Sequence, residues 1–205
     1  MKLLIFGASG RTGRCLVEQA LAAGHEVSAF VRDPTRKLAW PEGLRVIGGD
    51  ATDAAAVDAA VAGHDAVLSA LGRGRDGRSP LAQAMGHIVA AMERHNVRRL
   101  VCLSAQGVGE SARTSGLVFN LLVLPLLRES FAEKERMEQV VRSSRVDWVV
   151  VRACRLTNRP ARGRYRLDPD RLGPMPAISR ADVAACMLGQ LTSDRYVGRT
   201  PALAS

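Results

Sequence analysis

The sequence predicts an α/β fold in which helices cover both faces of a doubly wound parallel sheet. Strand-like and helix-like segments alternate through most of the 205 residues. The strand-like segments are apolar at consecutive positions, which is typical of strands that are covered on both sides. Repeated β-α alternation requires parallel strands joined by right-handed crossovers. Because no composition break or internal repeat interrupts the pattern, we expect a single domain over residues 1–205.

Short apolar segments at regular intervals are predicted as the strands of this sheet. They cover residues 2–6, 26–31, 44–47, 65–70, 99–104 and 147–151. A glycine-rich loop follows the first of them directly. Most of the others end in small or polar residues, so the predicted carboxyl edge of the sheet collects the groups that are suited to a ligand.

The segments between the strands have the periodicity and the end residues of helices. Residues 11–23 carry one apolar face, and Gly24 is placed to end that helix. Asp53 is placed to cap the Ala-rich helix that follows it. A further helix is predicted at about residues 131–142. Helical spacing of i, i+3, i+4 and i+7 is found for Met85, Ile88, Val89 and Met92.

The alternation of strands and helices stops after residue 151. Residues 152–176 are rich in Arg, Gly and Pro and contain one short strand-like segment at 165–167. A last helix is predicted at about residues 180–191. We expect residues 152–180 to form a substrate-side segment over the carboxyl ends of the strands, where open α/β sheets bind their ligands.

The composition excludes some classes of protein, but it does not identify the ligand. The net charge of +9 comes mainly from arginine, which suits phosphates and carboxylates, but coding bias in the genome explains the excess equally well. Nucleic-acid binding is disfavoured, because there is no recognition motif and only 4% of the residues are aromatic. No apolar run is long enough to span a bilayer. Four widely spaced cysteines indicate a reduced, cytoplasmic protein.

The loop after the first strand has the spacing of a dinucleotide-binding turn. The first glycine of the loop permits the tight turn, the second lets a pyrophosphate approach the backbone, and the third lets the helix pack close to the strand. The positive end of the helix dipole then faces the phosphates. The pattern therefore predicts cofactor contacts at Gly7, Ser9, Gly10, Arg11, Thr12 and Gly13.

Basic residues at the end of the second strand favour NADPH over NADH. An acidic residue at this place usually binds the ribose 2′-hydroxyl of NAD, whereas arginine accommodates a 2′-phosphate. Here Arg32 comes first, Arg36 and Lys37 follow, and Arg11 is within reach. Asp33, which precedes a proline, is interpreted as a turn residue. An ordinary basic turn is the alternative.

The ends of the third and fourth strands supply further predicted cofactor contacts. Asp50 and Ala51 end the third strand, where a carboxylate can accept a hydrogen bond from an adenine amine. Leu71, Gly72 and Arg73 follow the fourth strand, where small residues let the chain pass over a cofactor. Each position alone is weak evidence for a cofactor contact, and their shared location at the carboxyl edge of the sheet strengthens the prediction.

Taken together, these residues resemble the atypical short-chain dehydrogenases within the NmrA-like NAD(P)-binding group, and most closely the flavin reductase (biliverdin-IXβ reductase) type. The resemblance is carried by Gly7 to Gly13, Phe30 to Asp33, Gly49-Asp50, Leu71-Gly72 and Val101 to Ser104. It implies the NAD(P)-binding Rossmann fold with NADPH in an extended cleft and the nicotinamide near Ser104. It further implies cofactor contacts at Ala105, Lys134 and Cys154, where Lys134 stands in the place of a histidine that faces the cofactor.

The Tyr-x-x-x-Lys pair of ordinary short-chain dehydrogenases is absent, which argues against simple carbonyl reduction. A flavin or a similar planar acceptor delocalises charge and can take its proton from water, so proximity supplies much of the rate. Ser104 and Lys134 are the predicted catalytic residues. For Ser104 the alternative is a strand-end cap. For Lys134 the alternatives are contact with the nicotinamide ribose and an i, i+4 ion pair with Glu138.

The substrate-side segment leaves its ligand open. Departure from the usual Arg-Pro at Ala153 and Cys154 puts the family's substrate in doubt. The nearby arginines either form a basic mouth for an acidic planar substrate or are simply solvated. They are Arg152, Arg155, Arg159, Arg162, Arg164 and Arg166. The apolar segment 117–127 is a lid, a subunit interface or part of the core.

Two functions remain from the sequence. The first is an NADPH-dependent reductase that delivers hydride to a flavin, quinone-like or tetrapyrrole acceptor. The second is a non-catalytic NADP(H)-binding sensor that regulates a partner, as in some NmrA-like proteins. The histidines form no cluster, so no metal site is predicted. The oligomeric state is not indicated.

Overall fold

A computed structural model describes residues 1–35, 39–72, 80–109, 124–169 and 176–205, with only the backbone at 124–127. The strands of its main sheet are β1 (Lys2–Phe6), β2 (Glu26–Val31), β3 (Arg45–Gly48), β4 (Ala66–Ser69), β5 (Arg99–Ala105), β6 (Asp147–Ala153), β8 (Arg166–Leu167) and β10 (Ala202–Ala204). A separate pair is formed by β7 (Arg155–Thr157) and β9 (Ala177–Ser179).

The sheet has the strand order β3-β2-β1-β4-β5-β6-β10-β8. Every neighbouring pair is parallel except β10 with β8. The order reverses between β1 and β4, and such a switch point opens a crevice at the carboxyl edge of the sheet. The predicted doubly wound fold is confirmed.

Helices cover both faces of the sheet, as the apolar strands predicted. They are α1 (Arg11–Ala22), α2 (Ala54–Val61), α3 (Leu81–Arg94), α4 (Leu124–Arg142) and α5 (Arg180–Gly189). One core contains side chains of α1 and α5, and the other contains side chains of α2, α3 and α4. The predicted stripe on α3 is fully or almost fully buried.

The differences from the predicted elements lie in short strands and in one long helix. The helix α4 begins at Leu124, seven residues before its predicted start at 131. Strands β7, β9 and β10 have three residues each, too few for a period to be visible in the sequence. The carboxyl-terminal strand β10 pairs with β6 at Ala202 and Leu203, whereas β7 and β9 pair with each other. Most of segment 117–127 lies outside the described residues.

None of the helices in the described part of the chain is both long and apolar enough to cross a membrane.

Candidate active site at the carboxyl edge of the sheet

The glycine loop after β1 packs against the end of β4 and the start of α1. Gly7 has φ +74°, and a Cβ there would lie 2.7 Å from the carbonyl carbon of Ala70. A Cβ on Gly13 would lie only 2.1 Å from the carbonyl oxygen of Gly7. Both positions therefore require glycine for steric reasons. The predicted role of Gly13 is thus visible as close packing of α1 on the loop.

The amino end of α1 is suited to an anion. Its cap residue, Gly10, accepts from the backbone N–H of Arg14 at 2.9 Å, and no side chain of the described residues caps the helix. Its first turn also has no acidic residue. Thr12 is buried, Ser9 half-buried and Arg11 exposed. Unsatisfied N–H groups and the helix dipole together make such an end a phosphate site.

Arg32 and Asp50, the contacts predicted for the adenosine half of a cofactor, border the crevice where β2 and β3 end. Arg32 is exposed at the end of β2, and its charge contributes to a lowered pKa of Asp50. The larger causes of that lowered pKa are the hydrogen bonds from the backbone and the hydroxyl of Thr52, at 2.9 and 2.8 Å to Oδ1. Asp33 accepts from the backbone N–H of Thr35 at 3.0 Å, as a turn residue does.

The remaining predicted contacts on this side follow β3 and β4. Ala51 and Leu71 are half-buried at the edge of the core below the crevice. Gly72 is open, since no heavy atom of the described residues lies within 4 Å of its Cβ position. Arg36 and Arg73 lie outside the described residues.

On the opposite half of the crevice, β5 and β6 bring Ser104 and Arg152 side by side in register. Both side chains reach Glu138 on α4. The Ser104 hydroxyl donates to Glu138 Oε1 at 2.6 Å, and Arg152 donates from Nε to Oε1 at 3.1 Å and from Nη2 to Oε2 at 2.7 Å. All three residues are at most 3% exposed. We call Ser104, Glu138 and Arg152 the buried triad.

The buried triad was missed by the sequence analysis. Arg152 was grouped with the exposed arginines of the substrate-side segment, but it is buried and paired, so that assignment was wrong. Glu138 was considered only as a partner of Lys134. The position of Glu138 in the sequence could have revealed it. Glu138 lies four residues before Arg142, and it belongs with Met137 and Val141 to the buried side of α4.

Lys134 lies one helical turn before Glu138. Because a helix between parallel strands runs back along the sheet, the start of α4 is near the carboxyl edge, and Lys134 is nearer to it than Glu138. Its side chain is half-buried, and burial lowers the pKa of its ammonium, against opposing effects of Glu138 and Cys102. Among the described residues the ammonium has no ion pair, so the i, i+4 pair with Glu138 is not formed.

The other predicted contacts near the nicotinamide position are Ala105 and Cys154. Ala105 ends β5 and is half-buried. Cys154 follows β6, and its backbone N–H donates to Leu203 at 3.1 Å. Burial raises the pKa of the Cys154 thiol to about 11, so it is protonated at neutral pH. Neither residue offers acid–base chemistry.

The substrate-side segment is attached to α5 by Asp182. This carboxylate is 1% exposed and accepts from the backbone N–H groups of Arg162 and Gly163 at 3.0 and 2.9 Å and from the hydroxyl of Ser179 at 2.7 Å. Ser179 caps α5 by accepting from the Asp182 N–H. The remaining arginines of the segment are exposed: Arg155, Arg159, Arg162, Arg164 and Arg166.

These residues fit a dinucleotide. The tight packing of Gly7 and Gly13 and the free amino end of α1 form the cradle that a pyrophosphate needs. The described residues hold no group of three or more His, Cys, Asp or Glu able to bind a metal ion.

The comparison with known families agrees with this geometry. The chain belongs to the NAD(P)H-binding family, whose model matches residues 7–194. It is therefore an NAD(P)H-binding protein by class, and its cofactor is a nicotinamide dinucleotide. The predicted resemblance to atypical short-chain dehydrogenases is confirmed.

Three curated relatives illustrate the range of the family. An uncharacterized chloroplastic protein of Arabidopsis thaliana is 30% identical over 193 residues, covering 89% of this chain and 69% of that protein. A (4-alkanoyl-5-oxo-2,5-dihydrofuran-3-yl)methyl phosphate reductase of Streptomyces griseus is 28% identical, covering 98% and 67%. An uncharacterized protein of Mycobacterium tuberculosis is 33% identical over 75% of this chain, and the chain spans only 20% of its length.

Solved structures share the fold over the whole chain. The anaerobillin reductase ChuY of Escherichia coli O157:H7 has a TM-score of 0.85 at 24% identity, covering 100% of this chain and 97% of that one. A short-chain dehydrogenase/reductase of Veillonella parvula in complex with NADP has a TM-score of 0.82 at 21% identity, covering 100% and 94%. At these identities the likeness concerns the fold.

Proposed function

We propose that the protein is an NADPH-dependent reductase that transfers hydride to a planar acceptor of the flavin, quinone-like or tetrapyrrole class. The observation that carries this proposal is the meeting of two features at one edge of the sheet. The amino end of α1 is free to take a pyrophosphate, and Lys134 lies beside the buried triad at the ends of β5 and β6. Relatives named as reductases support the same class of reaction.

The choice of NADPH over NADH rests on the charge at the end of β2. Arg32 is exposed there, while Asp33 uses its carboxylate in a turn with Thr35. An acidic side chain occupied in this way is a poor partner for a ribose 2′-hydroxyl, whereas a guanidinium binds a phosphate by charge-assisted hydrogen bonds. Arg11 and Arg36 are the further cations proposed for the 2′-phosphate.

When bound, NADPH supplies the hydride, so the reduction needs one proton from the protein or from water. Lys134 is the proposed donor, because its ammonium is partly desolvated and burial lowers its pKa. Ser104 is proposed to orient the site rather than to give up a proton, because its hydroxyl proton is already donated to Glu138. Water reprotonates the Lys134 amine after each turnover.

The test is steady-state oxidation of NADPH, followed by its absorbance, with FMN, FAD, menadione and biliverdin as acceptors. We expect turnover with at least one of them and saturation in both substrates. Calorimetry with NADPH and NADH runs in parallel. Binding of NADPH without turnover on any acceptor would favour the sensor function, and the absence of saturable binding of either nucleotide would contradict both functions.

A further inference from the structure

Glu138 lies one helical turn from Lys134, yet its carboxylate is paired with arginines of the described residues and not with Lys134. Lys and Glu four residues apart on one helix face normally attract each other. Here both carboxylate oxygens of Glu138 are occupied: Oε1 by Ser104 and by Nε of Arg152, Oε2 by Nη2 of Arg152 at 2.7 Å and by Nη2 of Arg142 at 3.3 Å. The carboxylate of Glu138 thus accepts its hydrogen bonds from β5, from β6 and from the following turn of α4.

We propose that Arg152 is a positioning residue that keeps Lys134 available as an acid by holding the carboxylate of Glu138 out of an ion pair with it. This inference rests on the proposed function, in which Lys134 supplies the proton. A lysine that is tied into a close ion pair is a weaker acid than one whose nearest carboxylate is neutralised by arginine. The Arg152–Glu138 pair therefore has a chemical consequence besides joining β6 to α4.

Among the described residues, only two titratable groups act on the pKa of Lys134. From β5 comes the thiol of Cys102, whose pKa is raised by burial so that it stays neutral. The helix α4 itself supplies Glu138, whose carboxylate is bound by Arg152 of β6. The neighbouring carboxylate on the same helix, Glu133, is engaged with Arg136 at 2.8 Å and with the N–H of Ala82 at 3.1 Å.

The helix α3 also packs against α4, and it contributes apolar side chains such as Met85 and Ile88 to their common core. None of its charged groups among the described residues acts on the pKa of Lys134. Within the part of the chain that the structure describes, Glu138 is consequently the carboxylate to which the ammonium responds, and Arg152 donates two of the four hydrogen bonds that Glu138 accepts.

The titration of Lys134 can be measured directly, because the chain has only three lysines, Lys2, Lys37 and Lys134. Protein labelled with 13C at the lysine Cε is titrated by NMR without NADPH and without an acceptor. The variants Lys2→Arg and Lys37→Arg assign the signals. This measurement is independent of catalysis, so its failure is distinguishable from failure of the NADPH oxidation assay.

Three variants give the expected pattern. Arg152→Met releases Glu138 toward Lys134 and raises the Lys134 pKa by roughly one pH unit. Glu138→Gln removes the carboxylate and lowers that pKa by a similar amount, roughly one unit. In the Glu138→Gln background, the further change Arg152→Met leaves the pKa where Glu138→Gln put it. Arg94→Met, which removes the same charge from a surface pair with Asp58, is the matched control and leaves Lys134 unchanged.

Two results would overturn the proposal. A rise of the Lys134 pKa in Arg152→Met that persists in the Glu138→Gln background would mean that Arg152 acts by direct repulsion. No rise at all would mean that Glu138 does not turn toward Lys134. If Arg152→Met fails to fold, Arg142→Met replaces it: this partly exposed residue holds the same Oε2, and a smaller rise that also depends on Glu138 is expected.

Discussion

The carbonyl oxygen of Gly7 lies 2.1 Å from the point where a Cβ on Gly13 would stand. The two glycines thus bring the first turn of α1 into direct contact with the loop that leaves β1. Because the backbones of the loop and of α1 are in contact, the helix begins right beside the loop. Its uncapped N–H groups therefore lie at the crevice.

Gly13→Ala is expected to destabilise the protein and to abolish nucleotide binding. The added methyl overlaps the Gly7 carbonyl, and overpacking of this kind costs roughly 2 kcal/mol or more. Thermal unfolding and calorimetry with NADPH measure the two effects. The matched control is Gly86→Ala inside α3, where the Cβ position has no described heavy atom within 4 Å. It should stabilise by about 0.5–1 kcal/mol. Normal NADPH binding by Gly13→Ala would contradict the proposed cradle.

Arg32→Asp is expected to weaken NADPH binding by roughly 10- to 100-fold and to leave NADH binding nearly unchanged. The reason is the loss of a charge-assisted hydrogen bond to the 2′-phosphate, worth about 1.5–3 kcal/mol. Dissociation constants for both nucleotides are compared by fluorescence titration. Arg98→Asp makes the same charge change before β5, at the opposite edge of the sheet, and serves as the control. Equal weakening of both nucleotides would refute the assignment of the 2′-phosphate to Arg32.

Asp182→Asn is expected to loosen the substrate-side segment and to lower the free energy of unfolding by about 2 kcal/mol, since hydrogen bonds to a charged group are lost. Hydrogen exchange at the backbone amides of Arg162 and Gly163, which donate hydrogen bonds to Asp182, reports the local effect. Asp53→Asn, at the exposed cap of α2, is the matched control and should cost much less. Unchanged exchange at these two amides would show that Asp182 does not hold the segment.

The pKa of Asp182 leads to a prediction about the stability of the protein at acidic pH. Burial acts to raise the pKa of Asp182, but the hydrogen bonds from Ser179, Arg162 and Gly163 outweigh it and the pKa is lowered. A folded-state pKa below the unfolded value of ~3.9 gives stability that is present above about pH 4 and lost as the pH falls through the folded pKa. Denaturant unfolding of Asp182→Asn should therefore depend less steeply on pH in that acidic window.

The fold and the turn of the glycine loop were predictable because their causes are local. The turn at Gly7, the helix end at Gly24 and the Asp53 cap depend on a few neighbouring residues, and each is found as predicted. The sheet order then follows from the crossover rule, once the strands are known.

The buried triad was not predictable in the same way. Ser104, Glu138 and Arg152 are far apart in the sequence, and the contact depends on the register of β5 with β6 and on the rotation of α4. A sequence pattern gives the period of a helix, but it does not decide whether a charged residue on the apolar side is an exception at the surface or a paired group in the core. Glu138 was overlooked for that reason. Arg152 was misassigned because the sixth strand was predicted to end at residue 151, whereas β6 continues to Ala153.

Replacement of Lys134 by arginine and by methionine should separate the role of its charge from the role of its proton. Arginine keeps a cation that does not deprotonate near neutral pH, so a proton donor is lost in both variants, and kcat should fall by roughly 100-fold in each. If Lys134 instead orients the nicotinamide ribose through its charge, Lys134→Arg retains most of the activity and only Lys134→Met loses it. The comparison uses kcat and the Kd for NADPH, with Lys2→Arg at the start of β1 as the control. Full activity of Lys134→Met would remove Lys134 from the reaction, and the proton would then come from water.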